Sequence, residues 1–156
     1  MWETIVMHLI LQRPVYAFKK ELLKIPFYGW YIRIMSGITI DRKGGAGALK
    51  SLVKQSKRFL GKGQNIVIFP QGTRTPLGAK AEDYPYQAGI AALYLACGVK
   101  VVPMALNSGK FWPKKGVTKN RGVIKLRVLD AIEPGLKKKE FMAKLEEAVE
   151  NGCDAL

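Results

Sequence analysis

Two loops of this chain carry side chains suited to an anionic group, and each follows a β-rich apolar run. The first is Phe69-Pro70-Gln71-Gly72-Thr73-Arg74. Gly72 lets the backbone approach a ligand, Thr73 offers a hydroxyl, and Arg74 offers a planar guanidinium that matches phosphate. As an ordinary turn, the same residues would leave Arg74 a surface cation. The second loop is Gly37-Ile38-Thr39-Ile40-Asp41-Arg42-Lys43-Gly44-Gly45. Here a short apolar strand runs into paired cations and into glycines that free backbone N–H groups, which suits a phosphate or pyrophosphate. The bland alternative is an Asp41–Arg42 surface pair at a flexible turn. Two such loops after neighbouring strands favour a site.

A third stretch, Lys19 to Met35, mixes Phe27, Tyr28, Trp30 and Tyr31 with lysines and an arginine. Aromatic rings at headgroup depth with cations on anionic lipid would place it at a membrane interface. A helix buried against a sheet would use the same residues, and the two readings are compatible. The chain holds one histidine, His8, so mechanisms needing two imidazoles, zinc hydrolases of the HExxH kind among them, are excluded. Cys97 and Cys153 are too few for a disulfide scaffold or a metal knuckle, and a reducing compartment fits them best.

The elements that must position these loops follow from composition and pattern. With 156 residues, 48% of them hydrophobic and 24% charged, the chain has one domain's worth of core. Its net charge of +14 predicts anionic partners. The charge is uneven: residues 1–80 hold 14 basic and 3 acidic side chains, and residues 81–156 hold 12 and 9. Candidate strands are Val15–Lys19, Gly37–Asp41, Asn65–Pro70, Lys100–Leu106 and Val123–Leu129. Between them, Gly47–Leu60 and Gln87–Cys97 read as helices, and Lys137–Val149 as a last helix stopped by Asn151-Gly152. The alternation predicts a single α/β domain with a mostly parallel sheet flanked by helices. No apolar run reaches the ~18–20 residues of a spanning helix. The first residues lack the basic start of a signal peptide and read as an element entered partway through.

Taken in order, Lys-x-Glu-Leu with Ile-Pro-x-x-Gly-Trp, then Gly-x-Ile-x-Ile-Asp-Arg, then Ile-Phe-Pro-x-Gly-Thr-Arg, then Val-Pro-x-x-x-Asn resemble the lysophosphatidic acid acyltransferases. These are the 1-acylglycerol-3-phosphate O-acyltransferases of the PlsC type. The resemblance runs from about Trp2 to Lys115, and implies the glycerolphosphate acyltransferase-like fold. The family's first motif is a histidine, four residues, then an acid. It places Glu3 at the acid and the histidine ahead of Met1, so residues 1–156 are expected to be an acyltransferase domain without its membrane segment and its base. His8 stands after the acid and is expected to be structural.

By the same resemblance Lys19, Arg42, Gln71, Gly72, Thr73 and Arg74 bind the substrate phosphate, with Gln71 standing where the family usually has Glu. Pro103 and Asn107 shape the acyl-donor side. The implied reaction moves an acyl chain from acyl-CoA or acyl carrier protein to the sn-2 hydroxyl of lysophosphatidate. It uses no metal and no cofactor beyond that co-substrate. An anionic membrane surface is the expected partner, and the inner membrane's cytoplasmic face the expected location of the full-length protein. The alternatives are a catalytically inactive phospholipid- or acyl-CoA-binding fragment, or an acyltransferase for another lyso-lipid. A nucleic-acid partner, suggested by the charge alone, is set aside because no RNA- or DNA-binding signature is present.

Overall fold

Val15-Tyr16-Ala17-Phe18-Lys19 opens the fold as its central strand, because its β-branched and aromatic side chains suit a pleated surface buried on both faces. In a computed structural model, residues 2–27, 29, 30, 34, 37–41, 44–76, 81–113 and 119–156 are described. The chain divides into two compact units, residues 3–68 and 69–156.

In the first unit, β1 (Val15–Lys19) lies between β2 (Ile38–Ile40) and β3 (Ile66–Val67), with both pairings parallel. The register sets Ala17 opposite Ile38, Lys19 opposite Ile40, and Tyr16 opposite Val67. Val15, Tyr16 and Ile38 are almost fully buried. α1 (Trp2–Ile10) precedes the sheet, and α2 (Gly45–Leu60) is the crossover from β2 to β3. Leu52 and Ser56 form the buried line of α2, and Gln55 Nε2 donates to the Thr39 carbonyl at 3.4 Å. The expected Gly47–Leu60 helix thus begins two residues earlier.

In the second unit, α3 (Ala88–Cys97) is apolar nearly all round and buries Ile90, Ala91, Leu93 and Tyr94. It ends where Gly98 takes φ +61°, the left-handed cap that glycine adopts without a Cβ penalty. β4 (Met104–Leu106) and β5 (Leu126–Val128) follow, linked through a one-turn α4 (Ser108–Phe111), and α5 (Lys138–Asp154) closes the chain. The Tyr94 and Phe141 rings stack, with centroids 3.9 Å apart. Tyr94 Oη donates to the Glu133 carbonyl at 2.6 Å and accepts the Leu136 N–H at 3.0 Å.

Two expectations change here. β4 and β5 pair antiparallel; a parallel neighbour needs a full crossover connection, and the four residues of α4 are too short to supply one. The last helix also runs through Asn151-Gly152 to Asp154. Gly152 does not stop it. A Cβ at that position would come within 2.8 Å of the Ala105 Cβ and 2.9 Å of Leu129 Cδ1, so this glycine is where α5 meets β4 closely.

Candidate functional site

Parallel strands put their carboxyl ends on one edge, and in open α/β sheets that edge is where ligands sit. In the first unit this edge carries Lys19, the last residue of β1, and Asp41, just past β2. Lys19 is exposed. The next residue, Lys20, places Nζ 3.4 Å from Asp41 Oδ2 in an exposed pair of the kind that contributes little to stability. Lys20, Glu21, Lys24 and Asp41 line an open cavity of about 260 Å³. Sequence reading chose Lys19 and passed over Lys20 and Lys24; their spacing of four, directly after a strand, was the available signal. Arg42 lies outside the described residues.

Glu3 sits half-buried in the first turn of α1. That turn is tied to the sheet by Tyr16, whose hydroxyl donates to the Thr4 carbonyl at 3.0 Å. Nothing in the sequence pattern marked Tyr16 for this, because a buried strand tyrosine reads as core. His8 is exposed, with its ring 5.5 Å from that of Tyr16. As expected, it acts as a packing residue on α1 rather than as a partner placed before the acid.

The second unit builds the other loop on a tight turn. Gly72 N–H donates to the Phe69 carbonyl at 3.0 Å, with Pro70 at the position where a fixed φ favours a turn and Gly72 at φ +63°. Pro70 gives its carbonyl to the Gln87 N–H at 2.9 Å, which anchors the turn to the start of α3. Gln71 and Gly72 are half-buried, while Thr73 and Arg74 are exposed beyond the turn. A rigid turn that displays a hydroxyl and a guanidinium can hold a phosphate bidentately without first ordering the backbone.

Pro103 and Asn107 are buried. Pro103 accepts the Leu129 N–H at 3.0 Å, and Asn107 Oδ1 accepts the Lys125 N–H at 2.8 Å. These bonds hold β5 against β4 and extend the ladder past Leu106. Among the described residues, no group of three His, Cys, Asp or Glu side chains is placed to hold a metal ion. Cys153 points its Sγ at the Leu106 carbonyl, 3.9 Å away, and burial pushes its thiol up from the ordinary value. It therefore stays protonated and is a poor nucleophile.

The model of the Acyltransferase family matches residues 2–107, more than half of the chain. The chain belongs to that family. It is 35% identical over 149 residues to a 1-acyl-sn-glycerol-3-phosphate acyltransferase of Pseudomonas aeruginosa, covering 96% of this chain and 57% of that protein. A Helicobacter pylori protein of the same name is 32% identical over 133 residues, covering 85% of this chain and 55% of its own length. This member of the family thus spans a little over half the length of those relatives. Its fold matches the crystal structure of the 1-acyl-sn-glycerophosphate (LPA) acyltransferase PlsC from Thermotoga maritima. The TM-score is 0.73 at 23% identity, over 99% of this chain and 61% of that one.

Proposed function

We propose that the protein transfers an acyl chain from a thioester, acyl-CoA or acyl carrier protein, to the sn-2 hydroxyl of 1-acylglycerol-3-phosphate, forming phosphatidate. The observation that carries this reading is the likeness to the Pseudomonas acyltransferase along almost the whole chain. Arg74, Arg42 and Lys19 hold the phosphomonoester, with Gln71, Gly72 and Thr73 shaping its cradle. Fixing the acceptor lowers the barrier through orientation. A histidine removes the hydroxyl proton, and the alkoxide attacks the thioester carbonyl. The tetrahedral intermediate then expels the thiolate, which takes up the proton. Glu3 fixes the imidazole's tautomer and stabilises its cation. In this reading the imidazole belongs to protein ahead of residue 1, and Pro103 and Asn107 shape the acyl-donor side. The reaction takes place on an anionic membrane surface, at the cytoplasmic face of the inner membrane.

One observation favours a second reading, a module that binds phospholipid or acyl-CoA without turnover: the chain's single histidine stands five residues after Glu3, exposed on α1. Product analysis separates the two. The native protein, with its intact mass measured, is given acyl-CoA and either lysophosphatidate or lysophosphatidylglycerol. Phosphatidate formed faster than the other product supports the proposal. Acylation of lysophosphatidylglycerol alone moves the acceptor to another lyso-lipid. Binding without product at the native length establishes the module.

A further inference from the structure

Between the carboxyl end of β1 and β2, the first unit holds out an apolar tip that its own core does not use. Ile25, Phe27, Trp30 and Ile34 are 47%, 88%, 69% and 62% exposed. Four large apolar side chains within ten residues form a patch of the kind that marks an interaction surface. The tip is built tightly. The 3-10 turn Lys20–Lys24 leads into it, and Gly29 N–H donates to the Ile25 carbonyl at 2.8 Å. Gly29 is buried, and a Cβ there would run into the Leu23 carbonyl. Only glycine lets the chain fold back this closely. Phe27 adopts φ +62°, a conformation costly for a bulky residue, and its exposed ring recovers none of that cost by packing. The rim is cationic: Lys19, Lys20 and Lys24 are all exposed, against one exposed acid, Glu21.

We infer that the 25–34 tip is a membrane-insertion element, which seats Phe27 and Trp30 among the headgroups of an anionic bilayer while Lys19, Lys20 and Lys24 meet its phosphates. The aromatic body with a basic rim has the interfacial pattern. A second copy of the chain is the poorer occupant. A self-complementary contact would set one lysine rim against another, and like charges across an interface are repulsive. A small apolar ligand is no better served, because the rings project into solvent. The inference rests on the lipid-acceptor reading for its purpose, since the tip starts at the sheet edge that carries Lys19. Its test is one of binding, independent of turnover.

Phosphatidylcholine vesicles, with and without phosphatidylglycerol, are sedimented with the protein and with its F27S/W30S variant. Thermal melting checks that the variant is folded. The protein is expected to bind the anionic vesicles more tightly, and the variant to bind them about 10²-fold more weakly, as the burial of two large side chains implies. Equal binding by the variant overturns the inference. Self-association that F27S/W30S abolishes, with no vesicle binding, also overturns it and makes the tip a homotypic contact. With Trp2 and Trp112 replaced by Phe, lipids brominated in the acyl chain are expected to quench Trp30; absence of quenching contradicts insertion. Acylation of a short-chain lysophosphatidate below its aggregation concentration separates the two claims. If F27S/W30S keeps that rate and loses the rate on vesicles, both stand. If neither protein acylates anything while vesicle binding behaves as expected, the acyltransferase reading fails and the tip remains.

Discussion

Tyr16 and Thr4 are joined by a 3.0 Å hydrogen bond from a strand side chain to a helix carbonyl. The bond spans twelve residues and ties the turn that carries Glu3 to the strand that ends at Lys19. Tyr16 is 1% exposed, so its hydroxyl has been taken fully out of water and an unmade bond there would be costly. Tyr16→Phe is therefore expected to cost about 1–2 kcal/mol of stability. If Glu3 orients the base, the variant should also lower kcat while leaving KM for lysophosphatidate little changed. Melting and steady-state kinetics check the two parts separately, and a loss of stability with kinetics intact would make Tyr16 purely structural.

Arg74 stands exposed beyond a turn whose geometry is set by Pro70 and Gly72. Replacing it therefore alters chemistry more than fold. Arg74→Ala is expected to lower kcat/KM for lysophosphatidate by about 10–100-fold, the value of one charge-assisted bond to phosphate. Arg74→Lys should restore part of that, since an ammonium keeps the charge and loses the fork. Unchanged kinetics in Arg74→Ala would remove Arg74 from the site.

Gly152 tests the packing account of the second unit. In an exposed helix, Gly→Ala is worth up to about 1 kcal/mol. Here the added methyl meets Ala105 and Leu129 at 2.8 and 2.9 Å, and overpacking costs about 1–3 kcal/mol. Gly152→Ala should therefore lower the melting temperature. A rise would show that α5 can move away from β4 freely.

Tyr86 supplies the pH dependence. It is 8% exposed and its hydroxyl donates to Glu150 Oε1 at 2.9 Å. Burial first, then the hydrogen bond and charge of Glu150, raise the phenol well above its ordinary range. An unfolded tyrosine releases its proton near pH 10, while the folded one holds it longer. Below about pH 10 the Tyr86 contribution is fully present; as pH rises further the unfolded state gains by ionising, and the contribution is lost. Unfolding in denaturant between pH 8 and pH 11 should thus show an alkaline loss of stability that Tyr86→Phe reduces. Below pH 10 the same variant should cost about 1–2 kcal/mol.

The sequence made the local elements legible where one signal dominated. Val15–Lys19 was read to the residue, because alternation and buried aromatics left no rival. α3 was placed within one residue, since Gly98 ends it as a cap. Gly152 misled for the same reason: a glycine near a helix end reads as a stop, and its close approach to Ala105 is a tertiary fact with no local trace. The antiparallel pairing of β4 with β5 was hidden because strand direction depends on the connection, which the alternation of strands and helices does not report. At the site, the turn around Gly72 was readable from Pro-x-Gly. The tie from Tyr16 to Thr4 was not, since a hydroxyl's partner twelve residues away leaves no pattern. Asn107 shows the reverse: its place in a motif pointed to the donor side, and the structure gives its Oδ1 a bond to the Lys125 N–H that holds β5 in register.

The central claim is tested most directly by following both products of one reaction. The native protein, at its intact length, is incubated with 1-acylglycerol-3-phosphate and an acyl-CoA. Phosphatidate and free thiol are measured together over time. The account expects the two to appear in equal amounts and only when both substrates are present. Thiol release without phosphatidate, or the absence of both from protein that binds lysophosphatidate, would contradict it.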